Sequence, residues 1–223
     1  ATNTNPPTYR LFSPLKDKVI RYTLNDGPLV AYTAPIALDQ TTKIQAQLYQ
    51  ADTPIGSLLE ETFTYHYGIG AQLSLSPQPH SSYNSGGPGA LINGRRGDTN
   101  RYGDNEWLGF SGDDLTIDLQ LRAALPANSL HLYFYHAPGQ WINAPKAIIL
   151  TLTDFNGQKT TKNITLDPPQ NNGVFPVVID LTSITPNDIS ALTIAVVNYG
   201  IIPEGAQGAG QKSWTFIDEI ELQ

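Results

Sequence analysis

Leu115-Thr116-Ile117-Asp118-Leu119-Gln120-Leu121 and Leu130-His131-Leu132-Tyr133-Phe134-Tyr135 decide the fold class of this chain. In the first, Leu115, Ile117, Leu119 and Leu121 alternate with polar residues; in the second, Leu130, Leu132 and Phe134 alternate with His131, Tyr133 and Tyr135. Successive side chains of a strand point to opposite faces, so this spacing buries one face of an extended segment. A helix would repeat its apolar residues three and four apart. The two-residue period returns at Ile148, Leu150 and Leu152, at Val177, Ile179 and Leu181, at Leu192, Ile194 and Val196, and over Phe216 to Leu222. Only Ile184 to Ser190 has the pattern of a short helical turn. Regular strands between Gly- and Pro-rich loops read as an all-β sandwich or jelly roll.

Upstream the same pattern recurs on a smaller scale. Ile20, Tyr22 and Leu24 share one face, Asn25-Asp26-Gly27 makes a turn, and Ile44, Ala46 and Leu48 alternate in the next strand. Phe63, Tyr65 and Tyr67 close this region, and the polar residues 1–8 read as a lead-in or linker. Ser76 to Gly89, rich in Pro, Gly and Ser, reads as a long ordered loop.

Composition narrows the function classes. The 223 residues suffice for one large or two small domains, and only 15% are charged, with a formal net charge of −7. Nothing basic clusters enough to neutralise phosphates, so nucleic acid and anionic membranes are poor partners. Neutral polar ligands and cations such as Ca²⁺ suit the surface better. With no cysteine, disulfides, thiolate zinc sites and cysteine nucleophiles are excluded. No apolar run approaches the roughly 18 residues of a membrane-spanning helix, so no membrane insertion is expected. Ala1 in place of an initiating Met is expected to follow signal cleavage or excision from a larger protein.

Several stretches carry a family resemblance. Ile20-Arg21-Tyr22-Thr23-Leu24-Asn25-Asp26-Gly27, Tyr32-Thr33-Ala34-Pro35-Ile36 and Lys43-Ile44-Gln45-Ala46 resemble the small immunoglobulin-like domain that follows the barrel of chitobiase-type β-hexosaminidases. The remainder resembles the discoidin-type (coagulation factor V/VIII C-type), galactose-binding-like domain of bacterial family-20 glycoside hydrolases. That part rests on Leu91-Ile92-Asn93-Gly94-Arg95-Arg96-Gly97, Trp107-Leu108-Gly109-Phe110, Asp118-Leu119, Pro138-Gly139-Gln140-Trp141-Ile142, Pro145-Lys146, Gly208-Ala209-Gly210 and Trp214-Thr215-Phe216-Ile217-Asp218-Glu219-Ile220. Asn93 departs from the pattern, where the family carries Asp before Gly, and the loop from Asp98 to Glu106 is longer than the common form. The resemblance implies a linker over 1–8, an Ig-like sandwich over 9–67 and a discoidin-like jelly roll over 68–223. It also implies non-catalytic glycan binding by loops at one end of the jelly roll, as in family-32 carbohydrate-binding modules, and a structural Ca²⁺ near the start of that domain. A secreted, cell-surface or periplasmic location follows. An accessory C-terminal fragment of a β-N-acetylhexosaminidase and a structural or adhesive protein without a sugar site are the alternatives, and the oligomeric state is left open.

The candidate ligand-binding residues are Trp141, Tyr102, Tyr83, Arg96, Arg101, Asp104, Asn105 and His136. Trp141 follows a Pro-Gly turn, where stacking on a sugar and packing in the core are both open readings, whereas Trp107 and Trp214 lie at strand edges and read as core. Tyr83 and Tyr102 stand among glycines and polar residues, either contacting a ligand or pinning their own loops. Arg95, Arg96 and Arg101 offer forked donors to hydroxyls; at least one is expected to pair with Asp98, Asp104, Asp113 or Asp114 instead. The Arg96-Gly97-Asp98 triplet is read as turn chemistry rather than an adhesion signal. Asn93, Asp98 and Asn100 are the candidate metal ligands, as hard oxygen donors on one loop. His66, His80, His131 and His136 show no metal spacing. The adjacent carboxylates Asp218 and Glu219 are expected on opposite faces of the last strand, which rules out joint catalysis.

Overall fold

The structure is a computed structural model describing residues 6–125, 127–182 and 189–223. The lead-in expected over 1–8 lies mostly outside these residues. So does the helical turn expected from Ile184, of which the described part, Ile189 and Ser190, is already strand. The chain divides into two compact units, Ala1–Tyr65 and His66–Gln223.

The first unit contains β1 (Thr8–Tyr9), β2 (Val19–Leu24), β3 (Val30–Ala31), β4 (Ile36–Ala37), β5 (Thr42–Gln50) and β6 (Thr53–Phe63). Four form an antiparallel sheet in the order β3-β2-β5-β6, and β1 pairs with β4. Asn25 and Asp26 turn the chain after β2 with positive φ of 49° and 58°, a conformation these two side chains tolerate better than most. On β5, Thr42, Ile44 and Ala46 are buried while Lys43, Gln45 and Gln47 are not, as the alternation predicts. Tyr9, Ile36, Leu38 and Phe63 complete this small core.

The second unit is a two-sheet sandwich. Its strands are β7 (Gln72–Ser76), β8 (Leu108–Ser111), β9 (Leu115–Leu125), β10 (Ser129–His136), β11 (Ala147–Asp154), β12 (Lys159–Thr165), β13 (Gly173–Asp180), β14 (Ile189–Val197) and β15 (Trp214–Leu222). One sheet runs β12-β11-β14-β9-β7, the other β13-β10-β15-β8, and every pairing is antiparallel. The alternating residues supply the inner faces: Ile117, Leu130, Leu132, Phe134, Ile148, Leu150 and Ile194 are all 0% exposed. Truncating one such leucine to alanine costs about 2–5 kcal/mol through lost burial and the cavity left behind.

β15, the central partner of β10 and β8, departs from simple alternation. Leu132 faces Ile220 and Phe134 faces Ile217, so three steps on β15 span two on β10. This bulge places Asp218 and Glu219 opposite Tyr133, and an inserted residue of this kind re-aims side chains. The bulge overturns the expectation that these two carboxylates point to opposite faces, as their partners show.

Candidate functional site

The turn over 93–97 is clamped onto the β15 bulge. Asp218 Oδ2 accepts the Arg96 Nε–H at 2.9 Å and the Gly97 N–H at 2.8 Å. Glu219 Oε1 accepts the Gly94 N–H at 3.1 Å and also meets His66 Nε2 at 2.8 Å. Both carboxylates therefore face the same turn, and both are 0% exposed. Burial pushes the Asp218 carboxyl up to about 6, against the opposing pull of Arg96. Burial also raises Glu219 well above the ordinary carboxylate range and holds His66 down to about 3. The Gly68 N–H donates to His66 Nδ1, so the ring is the neutral tautomer with its proton on Nε2, donating to Glu219. Burial disfavours charge on both partners and so favours the neutral forms of imidazole and carboxyl across this contact.

Arg96 is thereby committed to structure. Its guanidinium carbon lies 3.2 Å from the centre of the Tyr133 ring, a close cation–π contact. Arg95 pairs with Glu106 at 3.1 Å. Among the described residues Arg96 pairs with Asp218 rather than with the expected Asp98, Asp104, Asp113 or Asp114. The actual partners are a buried carboxylate far along the chain and the residue just before Trp107, which sequence proximity does not indicate.

Trp107 is fully buried, as expected, with its Nε1–H donating to the Asp98 carbonyl at 3.1 Å. It founds an aromatic cluster with Tyr135, Phe216, Tyr83, Tyr102 and Trp214. Ring centres lie 5.3 Å apart for Trp107–Tyr135, 5.4 Å for Tyr102–Tyr135, 5.0 Å for Tyr102–Phe216 and 4.8 Å for Tyr83–Phe216, all edge-on or tilted. Each such pair contributes about 0.5–1.5 kcal/mol beyond its burial. Burial raises the Tyr102 hydroxyl above its ordinary value, with Tyr83 and Tyr135 adding to the effect. The Tyr102 and Tyr135 hydroxyls, both raised by burial, remain protonated donors at neutral pH.

The loop over 98–106 is tied mostly to itself. Asp104 Oδ2 accepts the Asp98 N–H at 2.6 Å, and its Oδ1 accepts the N–H groups of Glu106 and Trp107 at 3.0 and 3.2 Å. Asp98 Oδ1 accepts the Asn100 N–H and Asn93 Oδ1 the Arg95 N–H, both at 2.8 Å, while Asn93 Nδ2 donates to Glu106 at 2.6 Å. These are turn-closing bonds that Asp and Asn make without a cation. Ca²⁺ takes about six to eight converging oxygens. Among the described residues no group of three or more Asp, Glu or His side chains converges. Asn93 and Asp98 thus close their own turns.

Above the aromatic cluster an open groove of about 490 Å³ is lined by Tyr83, Asn100, Arg101, Tyr102, Gly103, Tyr135, Ala137, Gln140 and Asn172. Four residues expected at the site, Tyr83, Tyr102, Arg101 and Asn100, meet there, the last expected as a metal ligand rather than a groove wall. The others do not line it. Arg96 is turned into the clamp, Asp104 closes its loop, and Asn105 is exposed elsewhere on that loop. His136 is buried and its Nδ1 accepts the Ala144 N–H at 3.1 Å, so it holds the chain after β10 rather than a ligand. Gln140, Asn172 and Tyr135 were missed. Gln140 and Asn172 sit in Pro-Gly and Asn-Asn-Gly turns, whose amide-bearing residues were the available signal. Among the described residues Arg101 has no ion-pair partner, and no lining residue is acidic.

Trp141 stands one residue beyond Gln140, outside the groove lining, with 38% of its surface exposed. Its φ of 64° and ψ of 17° are left-handed, which costs a bulky side chain about 1–3 kcal/mol and persists only where the surroundings impose it. They do: the Trp141 N–H donates to Pro138 O at 3.0 Å, while Trp141 O accepts the Trp214 N–H at 2.8 Å and the Ser213 hydroxyl at 3.2 Å.

No family profile and no curated relative matches this chain. Solved structures with a distant likeness include a mutant of the lectin binding domain of Lectinolysin complexed with Lewis b, at 13% identity and a TM-score of 0.48 over 71% of this chain and 95% of that one. Another is the chitosan-binding module 1 derived from a chitosanase/glucanase of Paenibacillus sp. IK-5, at 9% identity and 0.41 over 71% and 98%. A third is the family 32 carbohydrate-binding module from C. perfringens NanJ in complex with galactose, at 14% identity and 0.42 over 68% and 92%.

Proposed function

We propose that the second unit binds carbohydrate, without transforming it, in the groove floored by Tyr83, Tyr102 and Tyr135. The observation that carries this reading is one open groove where tyrosine rings meet neutral amides, from Asn100, Gln140 and Asn172, and a single unpaired guanidinium, from Arg101. A pyranose has an apolar C–H face that suits an aromatic ring and a rim of hydroxyls that suits amide and guanidinium donors. Glycoside hydrolysis uses two carboxyl groups flanking the scissile bond, whereas the lining residues here carry none. Asp218 and Glu219 are committed to the turn beneath. So few contacts to a well-hydrated ligand give weak binding, roughly millimolar to micromolar. An extracellular, cell-surface or periplasmic setting is part of the proposal, tested by fractionating the native host.

A glycan array followed by calorimetric titration tests the binding. The Tyr102→Ala, Arg101→Gln double variant is expected to lose at least tenfold in affinity while staying folded, with its melting temperature lowered by the lost Tyr102 ring pairs. Silence across the array, or unchanged affinity in the double variant, sinks the reading.

A further inference from the structure

We infer that Trp141 is a second stacking platform beside the groove, so that the ligand is a glycan chain rather than a single terminal sugar. The inference rests on the groove reading and extends it by one subsite.

The ring is seated rather than loose. A Cβ built on Gly208 would lie 2.3 Å from Trp141 Nε1 and 2.6 Å from both Cδ1 and Cε2. Such near-equal distances place it over the face of the pyrrole ring, because an in-plane approach to Nε1 would leave its two neighbours much farther away. Gly208 itself has a φ of +85°, so both space and backbone select glycine there. With one face on Gly208, the 38% exposure of Trp141 belongs to the opposite face and its rim. Among the described residues the indole N–H has no hydrogen-bond partner, which leaves a donor beside that face. A tryptophan kept only to fill space would not need a left-handed backbone, a glycine seat and an open face together.

The platform continues the groove. Ala137 and Gln140 line the groove, and Trp141 follows Gln140 directly, with the Ala137–Ile142 segment closed by the Ala137 N–H donating to Ile142 O at 2.8 Å. Gln207, near Gly139, and Gln211 are exposed amides from the facing loop. The second subsite therefore shares with the first an aromatic face and side-chain amides nearby. A pyranose held over Tyr102 would place its linked neighbour over Trp141.

The test uses the full chain with ladders of galactose and of N-acetylglucosamine oligosaccharides from one to four residues. For the ladder that binds, affinity is expected to rise at least tenfold from monosaccharide to trisaccharide. Trp141→Asn, which tolerates the left-handed backbone but removes the ring, is expected to erase that rise. Trp141 is the most exposed of the three tryptophans. A blue shift of wild-type emission with the trisaccharide, absent in Trp141→Phe, is therefore an independent readout should Trp141→Asn not fold. Monosaccharide binding with no gain from length, or a gain that survives Trp141→Asn, overturns the platform while the groove reading stands. Trisaccharide binding lost in Trp141→Asn but untouched by Tyr102→Ala supports the platform and overturns the groove. No binding at any length overturns both.

Discussion

Raising the pH through the folded-state titration of Glu219 should destabilise the second unit, by at most about 1.4 kcal/mol per pH unit, because folding raises the proton affinity of this buried carboxyl. Glu219 is 0% exposed, and its Oε1 already accepts from Gly94 and His66. Burial raises its folded pKa well above the ordinary 4.5, so its contribution is complete below about 4.5 and is lost as pH rises. His66 has the opposite sign: its folded pKa falls from 6.5 to about 3, so its contribution is complete above about 6.5 and is lost on acidification. Asp218, raised to about 6 by burial, contributes a loss between about 4 and 6. Well above pH 6.5, where His66 and His136 are neutral in both states, Glu219 sets the sign of the slope, which is at most about 1.4 kcal/mol per pH unit. Urea denaturation followed by tryptophan fluorescence reads this unit alone, since all three tryptophans lie in it. Glu219→Gln mimics the protonated acid and keeps the acceptor for Gly94 and His66. It should remove that slope and be the more stable protein at pH 8.5. A variant with the wild-type slope between pH 6.5 and 8.5 would refute the neutral pair and return Glu219 to an ordinary buried ion pair with His66.

Three further outcomes follow from the clamp and its loop. Gly97→Ala would set a Cβ 2.2 Å from the indole nitrogen of the fully buried Trp107, and overpacking of this kind costs about 1–3 kcal/mol, seen as a lowered melting temperature. Arg96→Met leaves Asp218 buried without its cation and should cost about 3–5 kcal/mol at pH 8. That loss should shrink below pH 6, where Asp218 takes up its proton, as denaturation at pH 5 and pH 8 would show. Neither millimolar Ca²⁺ nor a chelator should move the melting temperature, because the Asn93 and Asp98 side chains close their own turns and Asn100 lines the groove; a clear rise with Ca²⁺ overturns that view.

The strands were legible because burial on one face imposes a period that survives in the residue order, as β9 and β10 show. The bulge at Asp218 and Glu219 was not, because it exists only relative to Tyr133 on a strand more than eighty residues earlier. Arg96 was misread for the same reason: its partner is 122 residues away, while four nearer aspartates offered plausible pairing. His136 looked like a loop donor, yet burial pulls its ring against a backbone amide and depresses its basicity. Tyr83 and Tyr102, which line the groove, stood out because an aromatic among glycines has no strand period to explain it. Gln140 and Asn172 were passed over because amides in turns have a sufficient local use. These misses share a direction. A buried charge is tolerated only with a fixed partner, so the most conspicuous charges of the 93–98 stretch were recruited inward as a clamp. A weak, reversible sugar site needs faces and neutral donors that are left unsatisfied by the protein. Such residues are inconspicuous in a sequence because they have no partner there to pattern with, and the groove is built from them.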